Sequence, residues 1–255
     1  MSLPRHNGLP LGRKPRSFNP AVPHFSALKM RFSLFGGPPQ APPAEDYTVG
    51  LPADLGMMLN DQLGDCAEAG FFHFVQVWSN AASKILTVPD SCVQQLYEDG
   101  AGYVPGDPST DQGTDLQALL TFLLKTGALM PDGTRHKILA FFEVDPTNDA
   151  DLNLVTAECG AIYLGFNVPA GMPTTPGSVW SASGPTVGGH CVISPKYPPR
   201  GIISWGSDDF SMAPGFWASQ VDECYAIVDP LFIEATGRTP FGLSEAVWQE
   251  QMAAL

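Results

Sequence analysis

Two side chains in this sequence have the types for nucleophilic chemistry, Cys66 and His190. Asp65 is a good helix N-cap, and Glu68 stands three residues later in capping-box position. Phe71, Phe74, Val75 and Trp78 recur at helical spacing, so the pattern predicts a helix with Cys66 as its first residue. Unpaired N–H groups and the dipole of a first helical turn stabilise a thiolate, the reactive form of cysteine. His190 follows Gly188-Gly189 at the start of an apolar run, a position from which an imidazole can project over a cleft. Taken alone, each has a plainer reading, as a cysteine packed into the core and a structural histidine. His6 and His24 fall in the N-terminal segment, His73 along the first helix and His136 in a loop.

Other chemistries find no footing. There is no G-x-S-x-G, H-E-x-x-H or P-loop, and Gly100-Ala101-Gly102 opens no helix of the dinucleotide-binding kind. Asp145–Asp151 offers oxygen ligands but lacks the glycine turn and terminal Glu of a calcium loop, and reads as a helix-capping turn. The five cysteines, Cys66, Cys92, Cys159, Cys191 and Cys224, are odd in number and form no C-x-x-C pair. They fit neither a disulfide framework nor a zinc site, and reduced thiols are expected.

The elements that must position the pair change character along the chain. Further helices are expected over Ser91–Glu98 and over Asp115–Lys125, where Leu116, Leu119, Leu120 and Leu123 share a face and Gly127 follows as a stop. Beyond residue 136 the texture turns to short β-like runs, Ile138–Val144, Gly160–Val168, Cys191–Ile193, Ile202–Trp205 and Tyr225–Val228, interrupted by a helix over Asp149–Glu158. Ser244–Leu255 reads as a short amphipathic helix with Leu243, Val247, Met252 and Leu255 roughly on one side. A helical half followed by a β-rich half is an α+β arrangement, with a cleft between lobes as the usual place for a ligand.

The 255 residues include 26 glycines and 25 prolines, too many for a helical bundle, while 44% apolar and 15% charged residues exclude general disorder. No apolar run is long enough to span a membrane, and Pro and Arg stand where a signal peptide would need an apolar stretch, so a protein of a cytoplasm-like compartment is expected. Residues 1–44 hold six basic side chains, nine prolines and no acid. The remainder has seven bases against 26 acids, a net charge of −19. The acidic body is unsuited to nucleic acid. Its basic, proline-rich arm is expected either to lie as a strap on that body or to dock on another subunit.

Several segments, in order, resemble papain-like cysteine peptidases. Asn60-Asp61-Gln62-Leu63-Gly64-Asp65-Cys66 looks like the nucleophile segment, Asp90–Tyr97 like the second helix and Gln112–Leu119 like the glycine turn and third helix. Gly189-His190-Cys191-Val192 is similar to the histidine strand, and Ile203-Ser204-Trp205-Gly206 to the family's Asn-Ser-Trp-Gly. Leu59–Trp78 and Met212–Val228 also resemble uncharacterised phage and bacterial papain-like proteins with proline-rich basic N-termini.

The resemblance implies a papain-like two-lobe α+β domain over residues 45–235, helical to about 135 and β-rich after it, preceded by the arm (1–44) and followed by a tail (236–255). It implies Cys66 as nucleophile, His190 as general base, Asn60 as oxyanion donor with the Cys66 N–H, and Trp205 as a shield of the cleft, with no metal or organic cofactor. The substrate would be a peptide or amide, and membranes are not implied. The family's third polar residue falls on Ile203, which accepts no hydrogen bond. Ser204, Asp208 and Asp209 are the substitutes within reach if the strand shifts by a residue, although alternation along a strand turns Ser204 to the opposite face from Ile203 and Trp205. A slow enzyme is therefore expected. The rivals are a transferase using the same pair and an inactive scaffold, for example a phage virion component, that assembles or self-associates through the arm.

Overall fold

The computed structural model describes residues 3–32, 39–181 and 183–255. The helices are α1 (Phe25–Phe32), α2 (Cys66–Ala81), α3 (Asp90–Ala101), α4 (Leu116–Lys125), α5 (Asp149–Cys159), α6 (Pro214–Gln220), α7 (Pro230–Thr236) and α8 (Glu245–Met252). The strands are β1 (Arg5–His6), β2 (Leu9–Pro10), β3 (Glu45–Asp46), β4 (Ala128–Leu129), β5 (Arg135–His136), β6 (Ala140–Val144), β7 (Ile162–Pro169), β8 (Val179–Trp180), β9 (Thr186–Tyr197), β10 (Gly201–Ser204), β11 (Ser207–Met212) and β12 (Val221–Val228).

One sheet of eight strands dominates the second half, in the order β6-β12-β7-β9-β10-β11-β8, with β3 added beside β9. Its neighbours are antiparallel except β11 with β8. The predicted helices and strands over residues 66–228 all form, with ends displaced by a few residues. β9 extends well beyond the predicted Cys191–Ile193, because pairing along β7 from Ile162 to Pro169 carries Gly188, Gly189 and Ser194 into the ladder despite their weak strand preference.

The helix α2 packs on β9 and is buried almost all round, with Phe71, Phe74, Val75 and Trp78 joining Tyr163, Tyr225 and Phe142 in one core. Asp115 caps α4 by accepting from the Ala118 N–H, and Asn148 caps α5 from Asp151. The tail helix α8 is tied down by Trp248, fully buried beside Phe142 and Phe241. No described helix is long and apolar enough to cross a membrane.

The N-terminal segment departs from the expected extended arm. Gly36, Gly37 and Pro38 of its proline run lie outside the described residues. The rest is woven into the molecule. Asn7 and Gly8, at φ 50° and 84°, form the two-residue turn between β1 and β2, the conformation that Asn-Gly adopts most readily. Leu11, Val22, Phe25 and Leu28 are buried in the common core. Arg16 pairs with Glu143, and Lys29 with Asp151 at 2.7 Å, so the basic segment lies as a strap on the chain's own acidic surface.

Candidate functional site

Cys66 opens α2 as expected, but the capping box does not form. The Asp65 side chain makes no bond to the first turn. Instead it accepts from Asn60 Nδ2 at 3.4 Å, while the Glu68 carboxylate accepts from Thr114 Oγ1 at 2.7 Å. Both acids are buried beside the thiol, and each leaves one carboxylate oxygen without a partner among the described residues. Burial pushes the Asp65 carboxyl well up and Glu68 to about 7. Burial likewise raises the Cys66 thiol to about 12. The N–H groups of Cys191 and Gly12 act in the opposite direction, and Glu68 and Asp65 reinforce the rise.

His190 stands on β9, one residue before the Cys191 N–H that meets the thiol. Its Nε2 lies 2.9 Å from Ser204 Oγ, its ring stacks on Trp205 at 4.5 Å between centroids, and Phe166 closes it edge-on. Its Nδ1 is buried with no partner among the described residues. Burial, with a smaller effect of nearby His6, lowers the imidazole to about 3.

The contact with Ser204 corrects the expected strand geometry. Ile203 lies opposite Ile193 across β10 and β9, and directly opposed residues share a face. Ile203 therefore packs into the core on the side of Cys191 and Ile193, and its neighbour Ser204 shares the face of Val192 and His190. Trp205 and Gly206, at φ 45° and 75°, are the tight turn between β10 and β11 and end the alternation, so Ser204 and Trp205 both meet the same imidazole. Asp208 and Asp209 lie on β11, with Asp209 exposed, and the described partner of His190 is Ser204.

Motif reading missed what fills the cleft. Residues Leu11–Lys14 run between the lobes, held by Arg13 N–H to Gly189 O at 3.1 Å, Lys14 N–H to Thr114 O at 2.9 Å, and Thr114 N–H to Gly12 O at 2.7 Å. The walls are braced by Asp111, whose Oδ1 accepts from the Gly64 N–H and the Tyr97 hydroxyl, while Tyr97 in turn accepts from the Gly113 N–H. Arg13 is buried, with Nε 2.6 Å from Glu223 and Nη2 2.5 Å from Asp222. A basic segment facing an acidic body was the visible signal, but it did not identify the partners.

The N-terminal segment thus lies against both elements, with Gly12 at the Cys66 thiol and Arg13 bonded to Gly189, the residue before His190, while Asn60 bonds Asp65 beside the thiol. With the thiol near 12 and the imidazole near 3, both are neutral in this closed form.

No family model matches the chain, and no curated protein matches its sequence. Solved structures do. Xylellain, a cysteine protease from Xylella fastidiosa, is similar at 15% identity and TM-score 0.64, covering 90% of this chain and 99% of its own. ProCathepsin B S9 from Trypanosoma congolense is similar at 10% identity and TM-score 0.56, covering 87% and 86%. Procathepsin L 3 from the larval midgut of Tenebrio molitor is similar at 9% identity and TM-score 0.55, covering 74% and 71%. At these identities the likeness is one of architecture, and the chain has the papain-like fold of these cysteine proteases.

Proposed function

We propose that this chain is a cysteine peptidase or amidase whose cleft is closed by its own N-terminal segment. The observation that carries the reading is His190, set on a papain-like scaffold beside the strand residue that meets the Cys66 thiol, with Nε2 bound to Ser204 and Nδ1 without a partner among the described residues. In this reading Nδ1 takes the thiol proton, and the sulfur attacks the substrate carbonyl carbon. The amine leaves with the proton returned by the imidazolium, and water then hydrolyses the thioester. Ser204 does the work of a third polar member by holding the ring, so Ile203 is not a vacancy in the machinery. Asn60 has a second amide N–H beyond the one given to Asp65. That N–H and the Cys66 backbone N–H are the donors for the developing oxyanion. Trp205 keeps water from the imidazole.

The N-terminal strand blocks this chemistry and is itself protected from it. It presents the Gly12 N–H to the thiol, while the Gly12 carbonyl is engaged by the Thr114 N–H. Leaving the cleft would readmit water and substrate and draw both groups back toward their ordinary pKa values.

The test is hydrolysis of a panel of peptide and activated ester substrates by a full-length variant with a loosened strand, Leu11→Ala, against the same variant carrying Cys66→Ala. Turnover that disappears with the thiol supports the reading. Equal background rates in both would leave the fold as a scaffold, and assembly through the segment would then require withdrawing it from the chain's own cleft.

A further inference from the structure

A cavity of about 530 Å³ lies away from the cleft, where the turn between β9 and β10 meets α5 and α6. Tyr197, the last residue of β9, lines it seven positions beyond His190, about 23 Å along an extended strand. Its volume falls within the range of ligand sites, roughly 300–1,000 Å³. Its floor is aromatic, with Tyr197 and Trp217 3% and 7% exposed, and the Arg200 guanidinium lies 4.9 Å over the Trp217 ring. Asn153 on α5 accepts from Arg200 Nη2 at 2.8 Å, which leaves the Asn153 Nδ2 donor without a partner among the described residues. Arg200 Nη1 is buried and likewise unpartnered among them.

The walls already hold proline. The Tyr197 hydroxyl donates to the Pro42 carbonyl at 3.1 Å, and Pro43 borders the cavity. On α6 the Trp217 indole N–H donates to the Pro146 carbonyl at 2.8 Å. A proline-rich segment in the polyproline conformation has no internal hydrogen bonds, so its carbonyls face outward as acceptors while its rings offer apolar faces. Aromatic surfaces to pack on and donors for those carbonyls are what recognise it, and its preformed backbone loses little entropy on docking. The aromatic floor and Asn153 Nδ2 supply both kinds of contact beyond Pro43. A carboxylate ligand is less well served, because the Arg200 charge is already faced by Asp149 at 3.4 Å.

We infer that this cavity is a docking site for a proline-rich polypeptide segment, seated against Tyr197 and Trp217 with a backbone carbonyl accepting from Asn153 Nδ2. The site shares no residue with the cleft and stands whether or not Cys66 turns over a substrate. A partner held there is tethered to the chain without entering the cleft.

Fluorescein-labelled decaproline is titrated with the full chain and followed by fluorescence anisotropy, beside a Gly-Ser repeat and a glutamate-rich peptide of the same length. Decaproline should bind at least ten-fold more tightly than either. Ala218, exposed on α6 at the rim, offers a way to fill the cavity without touching the core. Ala218→Trp should weaken decaproline at least ten-fold. Asn153→Asp keeps an acceptor for Arg200 but removes the free donor, and should weaken it several-fold. If Ala218→Trp does not fold by its melting curve, Thr147→Trp, also exposed at the rim, is read in its place. Equal binding of decaproline and the Gly-Ser peptide, or decaproline binding that the cavity-filling tryptophan leaves unchanged, would overturn the docking site. Tighter binding of the glutamate-rich peptide would overturn it as well, since the cavity would then take anions through Arg200.

Discussion

Gly12 rests so closely on Gly64 that a β-carbon on Gly12 would stand 1.8 Å from the Gly64 carbonyl oxygen. The two glycines allow the N-terminal strand to reach the floor of the cleft two residues before Cys66. Gly113 presses on the same point, its own β-carbon position lying 1.9 Å from Gly12 O. Backbone atoms on both sides leave no room for adjustment.

Gly12→Ala should therefore expel the strand while leaving the lobes folded. Iodoacetamide near neutral pH should label Cys66 in Gly12→Ala at least ten-fold faster than in the parent, as mass spectrometry of the alkylated peptide would show. His190→Ala should slow labelling only in the opened form, since the closed form has no imidazolium to lose. Equal labelling of Gly12→Ala and the parent would mean that the strand does not guard the thiol.

In the proposed peptidase, Ser204→Ala removes the partner of His190 Nε2 but leaves the Cys66 thiol and the imidazole in place. In the Gly12→Ala background it should lower kcat by roughly ten-fold with little change in KM, and shift the pH profile of kcat/KM. Ile203→Asn should give no gain. It places an amide in the apolar row opposite Ile193, at a site 1% exposed, and should cost about 2–4 kcal/mol of stability by denaturant titration. A faster Ile203→Asn enzyme would mean that the β10 register is wrong.

Burial lifts the Glu68 carboxyl from its ordinary 4.5 to about 7. A group protonated more readily in the folded state contributes stability that is full below about 4.5 and lost as pH rises to about 7. The melting temperature should fall across that window, and Glu68→Gln, which stays neutral, should flatten the fall. An unchanged slope in Glu68→Gln would remove Glu68 as its source.

Truncation at Ala44 should unfold the protein. It removes Leu11, Val22, Phe25 and Leu28 from the core, each worth about 1.5–3 kcal/mol when fully buried, a sum comparable with the whole stability of a domain at about 5–15 kcal/mol. A scanning calorimetry trace with its cooperative transition intact would show that the segment is dispensable.

The sequence made some of this legible. α2 and α4 were visible because long apolar stripes ended in recognisable stop or start residues. The helix that opens at Cys66 and the strand that carries His190 were both legible from the order of the motifs. Asn7-Gly8 between short apolar stretches was a readable hairpin signal, overshadowed by the prolines around it. Ser204 stood among three candidates for the partner of His190, but the choice among them was not legible, because its face depends on which residue of β9 lies opposite Ile203, and cross-strand register is a tertiary property. The partnership of Arg13 with Asp222 and Glu223 joins residues more than two hundred positions apart, and charge totals do not specify which acid meets which base.

The strand in the cleft and the helix that anchors it are joined by an exposed bridge, Pro15 to Pro20, with Phe18 78% exposed. Up to that bridge the hairpin and Leu11–Lys14 form one piece, and beyond it Val22, Phe25 and Leu28 stay rooted in the core. While the bridge is intact, the strand faces the cleft at an effective concentration on the order of millimolar, so its occupancy is independent of how dilute the protein is. A single cut in the bridge turns it into a separate peptide, and its hold on the cleft then depends on dilution.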